Sequence, residues 1–278
     1  MMGPSDVQSA DEDCLSASPA QPVCCRSVPK RLIQDVTHTQ VPGYDQRMVL
    51  STVVPDAIWV SERAVWFAGV RLRARSTVVR LADRRLLIHS PPQPSRELCD
   101  ALDALGQIAY LVVPNCFHHL ATPAFAAKYP SATVVGPRSA AAKNPDLKLH
   151  QELHVDIVRA ALPEFAALAL DGCPFLDETV LFHRPTGSLI GADLVISACA
   201  KDHFTWRWAA RLTGCYDRIC VPPDVRSRTR PSADLAHAID RMTSLPLERI
   251  LVAHCDPIVD RPAAQLAEAW QFGGATRR

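Results

Sequence analysis

From Ala57 onward, short aliphatic and β-branched runs alternate with polar turn residues. AIWV (57–60), STVVRL (76–81) and RLLIHS (85–90) read as strands, with Asp83 and Arg84 as the polar break between the last two. Runs this short and this branched suit a pleated, half-buried surface. In SRELCDALDALG the period changes: Leu98, Leu102 and Leu105 share one helical face, Ser95 is placed to cap the start and Gly106 to close the end. IAYLVV (108–113) reads as a buried strand, and the segment after it offers Thr122 as a helix cap, Pro123 at the first helical position and Pro130 as a stop. SATVVGP (131–137) is a further short strand.

Residues 138–172 carry no period that assigns them. ETVLFHRPTGSLIGADLVIS (178–197) reads as two strands joined at Pro185, Thr186 and Gly187, with Asp193 near the end of the second. A Trp-rich amphipathic segment (204–212) and a basic, proline-containing loop come next. Leu235, Ile239 and Met242 then line one face of a helix over 232–244, RILVAH (249–254) is a strand ending in His254, and 261–272 predicts a closing helix. Strands and helices alternating at these lengths argue for an α/β layered sheet, with two βαβ-like halves at 57–137 and 175–272. No internal repeat is visible.

Residues 1–45 differ. They are rich in Ser, Pro, Asp and Gln and poor in large apolar side chains, so they offer little burial against the entropy of ordering and are expected to form a disordered tail ahead of a folded domain over 46–278. Elsewhere the chain, 48% hydrophobic over 278 residues, has ample material for a core. Its 30 basic and 29 acidic residues leave a net charge of +1 with no long run of either sign. That balance points away from nucleic acid and membrane surfaces as main partners and toward a small-molecule substrate. No run is apolar enough to span a bilayer, and the first residues lack a secretory pattern, so a soluble, cytoplasmic protein is expected. The ten cysteines, without a secretion signal, are expected to be reduced thiols; the spacings of Cys24 with Cys25 and of Cys215 with Cys220 are not those of a zinc knuckle.

Chemistry-bearing side chains gather at predicted strand ends: His89 in LLIHSP, His118 and His119 in PNCFHHL, Asp193 in IGADL and His254 in LVAHCD. In open α/β sheets loops converge there on a rigid base, so the recurrence carries more weight than any single residue. Singly, His89 suits a strand-end residue bonded to backbone, Asp193 a strand terminator and His183 a cross-strand packing residue. His118 and His119 point opposite ways if the chain is extended, which favours one of them in a site. There is no G-x-S-x-G elbow and no phosphate-binding glycine loop. Cys116 near His118 and Cys255 beside His254 are adjacent in sequence only, which does not supply the geometry of a cysteine nucleophile and its base.

The stretches VVRLADRRLLIHSP, VVPNCFHHL, ETVLFHRPTGSLIGADLV and RILVAHCDPI, with Thr186, Gly187, Leu189 and Asp193 spaced as T-G-x-L-x-x-x-D, resemble the metallo-β-lactamase fold superfamily and, more closely, an uncharacterised family of unknown function beside it. The resemblance covers about residues 54–262. It implies a four-layer αβ/βα sandwich that binds zinc or iron and hydrolyses esters, thioesters, amides or phosphodiesters through a metal-bound hydroxide. In the superfamily's T-H-x-H-x-D-H motif, Pro114 falls on the first histidine, Cys116 on the second, His118 on the aspartate and His119 on the last histidine. Asp193 matches the bridging aspartate and His254 the final histidine ligand. The middle histidine has only order-based candidates in His150, His154 and His183, and His89 stands where the fold's strand-end aspartate would be.

The donor set implied is therefore His118, His119, Asp193 and His254, enough for one zinc or iron ion rather than two, or for none. Asp256 is the candidate to orient His254 or act as a base. A metal-dependent hydrolase is the reading that follows, with a degenerate, non-catalytic binding protein as the alternative. Oligomeric state is not legible.

Overall fold

The computed structural model describes residues 50–273; the tail expected at 1–45 lies outside the described residues. Two sheets form the centre. The first takes its seven strands in chain order: β1 (Ser51–Val54), β2 (Ile58–Phe67), β3 (Val70–Arg80), β4 (Leu86–His89), β5 (Ile108–Val112), β6 (Thr133–Gly136) and β7 (Gln151–Glu152). Strands β1 to β4 pair antiparallel and β4 to β7 parallel. The second sheet runs β11 (Arg249–Leu251), β10 (Ser188–Ile190), β9 (Thr179–His183), β8 (Phe165–Ala169).

Side-chain alternation sets the layers. Val79, Leu87, Val112 and Val135 of the first sheet meet Phe165, Leu181, Ile190 and Leu251 of the second in one buried cluster. On the first sheet's other face, Ile88, Leu111 and Val134 pack on Leu98 and Leu102 of α1 (Arg96–Leu105), Phe125 of α2 (Thr122–Lys128) and Ala140 of α3 (Arg138–Lys143). Helix α4 (Val155–Ala161) joins the sheets and buries Val158 between them. Beyond α5 (Phe204–Thr213), the outer face of the second sheet, with Val180, Phe182, Leu189 and Ile250, packs on Val225 of α6 (Pro223–Arg228), Leu235, Ile239 and Met242 of α7 (Ala233–Thr243), and Leu266 of α8 (Pro262–Ala269). The result is the helix, sheet, sheet, helix sandwich expected of the resemblance. No helix among the described residues is long and apolar enough to cross a membrane.

Local signals explain where elements stop. Ser95 Oγ accepts from Leu98 N at 3.2 Å and Ser232 Oγ from Leu235 N at 3.2 Å, each satisfying an orphan donor at a helix start. Thr122, expected as a cap, is instead the first helical residue, and its buried hydroxyl makes no hydrogen bond among the described residues.

Three differences matter for the site. The runs AIWV and STVVRL are only the inner ends of a hairpin, since β2 continues to Phe67 and β3 begins at Val70; its outer half is rich in arginine, which hides it from a hydrophobic pattern. RILVAH stays in the sheet only to Leu251, and Val252–His254 leaves it for the loop that carries His254. The expectation of reduced thiols is corrected at one pair, because Cys215 and Cys220 form a disulfide.

Gly136 ends β6 where a Cβ would stand 2.7 Å from Val113 Cβ and 3.2 Å from Val113 O. Val113 leads directly into the loop holding His118. Gly136→Ala is expected to destabilise the protein by about 2 kcal/mol through overpacking, read as a lowered urea midpoint with an unchanged slope.

Candidate metal centre

Three loops at the ends of β5, β10 and β11 meet at one place. The first begins at Pro114, where the chain leaves β5. Asn115 folds it back by accepting from Phe117 N at 2.9 Å and His118 N at 3.0 Å on its side-chain oxygen, the turn that short amide side chains favour. Pro114 O accepts from Thr179 N at 3.0 Å, tying this loop to β9. The turn sends His118 inward, while buried His119 places Nδ1 3.3 Å from Asn144 Nδ2, just past α3.

The second loop carries Asp193. Glu178, at the head of β9, accepts from Ala192 N at 2.7 Å and Asp193 N at 3.0 Å. Behind it, Trp270 Nε1 donates to Leu194 O at 3.1 Å. The third loop carries His254: Ala253 N donates to Ala192 O at 3.0 Å, and Arg75 N of β3 donates to Ala253 O at 2.9 Å.

His118 Nε2 and His254 Nε2 each lie 3.3 Å from a different oxygen of Asp193. One ligand atom from each of His118, Asp193 and His254 lies within 4.8 Å of the other two, and this is the one such donor group among the described residues. His119 is not part of it. The residue on the superfamily's aspartate position, His118, therefore faces Asp193 and His254, and the residue on its final motif histidine, His119, does not. Cys116 is buried, with Lys143 Nζ 2.9 Å from its sulfur. His150 accepts from Val134 N, His154 caps α4, and His183 meets Thr186 Oγ1 at 2.8 Å and packs on Phe165. None of these joins the cluster as a middle histidine.

The far nitrogens are fixed as well. His254 Nδ1 stands 2.6 Å from Arg73 O; a carbonyl only accepts, so Nδ1 carries the proton. Nε2 then faces the Asp193 carboxylate either with a second proton or with a lone pair that needs a cation between the two acceptors. His118 Nδ1 meets Ser90 Oγ at 2.7 Å. Ser90 sits at φ 56°, a left-handed conformation uncommon for serine, immediately after β4. Outer hydrogen bonds of this kind set the tautomer and orientation of metal-binding histidines.

The charges respond accordingly. Burial pushes the His118 imidazole down, but the Asp193 carboxylate outweighs it and the pKa rises above its ordinary value. Burial pushes Asp193 up, yet the two imidazoles hold it well below the usual carboxylate range. Glu178 is raised to about 7 by burial and by Asp193. His89 is buried with Nε2 making no hydrogen bond among the described residues, and burial, followed by the charge of His118, lowers it to about 3. His119 falls to about 4 through burial and the nearby Lys143.

The orienting role expected of Asp256 belongs to the Arg73 carbonyl. Asp256 Oδ1 is bound by Arg73 Nη1 at 2.8 Å and Lys201 Nζ at 2.6 Å, and despite the upward push of burial these cations lower it to about 2, too acidic for an effective base near neutrality. Arg73 also holds Asp202 at 2.6 Å, and Arg75 joins Glu62 to Val252 O, which braces the hairpin against the His254 loop. A cleft of about 250 Å³ opens here, lined by Arg73, Cys199, Arg218, Asp256 and Ile258 among others.

Sequence reasoning missed Ser90, Asn115 and Glu178. Asn115 Nδ2 donates to Asp193 Oδ2 at 2.8 Å and to Glu178 Oε2 at 2.9 Å, so one buried amide separates two carboxylates while its oxygen shapes the His118 turn. Asn115→Ala is expected to cost about 3 kcal/mol, because two buried acceptors and two backbone donors lose partners at once. A urea midpoint within error of wild type would contradict it.

A family model described as a domain of unknown function (DUF4336) matches residues 55–139. No curated protein matches the sequence. Among solved structures, a metallo-β-lactamase from Pontibacter korlensis is similar at TM-score 0.55 and 13% identity, over 80% of this chain and 98% of that one. A metallo-β-lactamase from Erythrobacter litoralis is similar at TM-score 0.58 and 9% identity, over 80% and 95%. The DIM-1 metallo-β-lactamase is similar at TM-score 0.54 and 14% identity, over 81% and 96%. With the strand order, the layers and the loop placement above, these likenesses establish that the chain has the metallo-β-lactamase fold.

Proposed function

We propose that the protein is a metal-dependent hydrolase holding one zinc or iron ion between His118, Asp193 and His254, and acting on an ester, thioester, amide or phosphodiester. The observation that carries the reading is the convergence of three donors whose outer atoms are already anchored, by Ser90 on one imidazole and the Arg73 carbonyl on the other. Two imidazoles and one carboxylate suit either metal and leave coordination positions open. A bound ion of this type lowers the pKa of a coordinated water and polarises a carbonyl or phosphoryl oxygen. The chain's own residues supply the rest: Glu178 and Asn115 hold the Asp193 loop, and the Arg73 carbonyl fixes the His254 tautomer.

The second reading, a non-catalytic relative with the same sandwich, is favoured by Cys116 and His119, which take other partners and leave three donors for a single ion. Metal analysis separates the two. Purified protein is expected to carry about one equivalent of zinc or iron and to hydrolyse at least one member of an ester, thioester, amide and phosphodiester panel. Metal-free protein that folds normally and ignores chelators would falsify the first reading; bound metal without turnover favours the second.

A further inference from the structure

We propose that the face made by the β2–β3 hairpin tip and helix α5 docks on an anionic lipid surface. Trp66 and Phe67 are each 53% exposed at the tip, and Phe204, Trp208 and Leu212 are 70%, 67% and 69% exposed along one side of α5. They form one surface. The Trp66 ring meets His203 edge-on at 5.9 Å, His203 meets Phe204 at 4.5 Å, and Arg71 N donates to Thr205 Oγ1 at 3.1 Å. The opposite side of α5 buries Trp206 and Ala210, so the outer stripe has no place in the core.

The charge around the stripe selects the occupant. Arg71 stands directly across the ladder from Trp66, and Arg207 and Arg211 of α5 both lie along one side of Trp208. The carboxylates nearest in the chain, Glu62 and Asp202, are already bound by Arg75 and Arg73. A net charge of +1 averages over the whole chain and conceals this local excess. Aromatic and aliphatic side chains interleaved with arginine suit the boundary between acidic headgroups and acyl chains, where tryptophan rests with one end apolar and the other wet.

A second copy fits less well. Five side chains at these exposures present on the order of 650 Å², short of the about 800 Å² per partner in a stable interface. A twofold contact would also bring two copies of the same arginine-bearing patch together, with Glu62 and Asp202 already bound within each copy.

The test is co-sedimentation of the full chain with phosphatidylcholine vesicles, with and without roughly one third phosphatidylglycerol. Binding is expected on the anionic vesicles alone, with a blue shift of tryptophan emission and loss at high salt. Trp66→Ser with Trp208→Ser, and separately Arg207→Glu with Arg211→Glu, are each expected to weaken partitioning by about ten-fold or more while circular dichroism stays unchanged. Absence of binding, equal binding to both vesicle types, or binding indifferent to both double variants overturns the proposal. So does a concentration-dependent dimer in sedimentation velocity that the tryptophan variant abolishes, which assigns the face to a second copy.

Discussion

Asp193→Ala is expected to yield a folded protein that no longer retains zinc or iron through desalting. Asp193 offers one oxygen to each imidazole, so its removal leaves two histidines, fewer protein donors than metal centres of this kind use. The metal-free protein adds a second readout. His118 is raised above its ordinary 6.5, so its contribution is fully present below that value and is lost as pH rises through the elevated one. Asp193 is depressed below 3.8, so its contribution is present above that value and is lost as pH falls. Both act together between about pH 4 and 6.5. Within that window the substitution is expected to cost about 3 kcal/mol by stranding buried imidazoles, and less at higher pH. Urea unfolding across pH on chelated protein, with elemental analysis of the untreated protein, measures both effects; a loss independent of pH would refute the ion-pair account.

Trp270→Ala is expected to be the most destabilising single change, at about 4 kcal/mol. Trp270 follows α8, is fully buried among Leu235, Ile239 and Leu266, and stacks on Phe272. Its indole also donates to Leu194 O, next to Asp193, so metal retention is expected to weaken in step with stability. Trp270→Phe keeps most of the volume and loses the hydrogen bond; a cost of about 1–2 kcal/mol is expected for the orphaned carbonyl. Equal losses for the two variants in denaturant melts would show that packing volume is not what Trp270 supplies.

Much of the sandwich was visible in the sequence because its layers are written in side-chain period: Leu98 and Leu102, or Leu235, Ile239 and Met242, can face only one way on a helix. The outer half of the hairpin was not, because Arg73 and Arg75 are buried by partners such as Glu62 and Asp202, and arginine without known partners reads as surface. Donor types at strand ends were legible at His118, Asp193 and His254. The choice of His118 over His119 was not, since it depends on the turn imposed by Asn115. Glu178, Asn115 and Ser90 acquire meaning only when segments distant in the chain meet. The disulfide between Cys215 and Cys220 joins residues only five apart, but the missing secretion signal pointed to reduced thiols instead.

His118 follows a strand of the first sheet, whereas Asp193 and His254 follow strands of the second. An ion held among them would be a topological cross-link between sheets that otherwise adhere through apolar side chains and hydrogen bonds such as that from Arg75 N to Ala253 O, adding RT ln(1 + [M]/Kd) to the folded state. Chelation would then loosen sheet from sheet as well as empty a site. In a growing chain the three donors would be complete only once His254 emerges, so sheet docking and capture of such an ion would finish as one event.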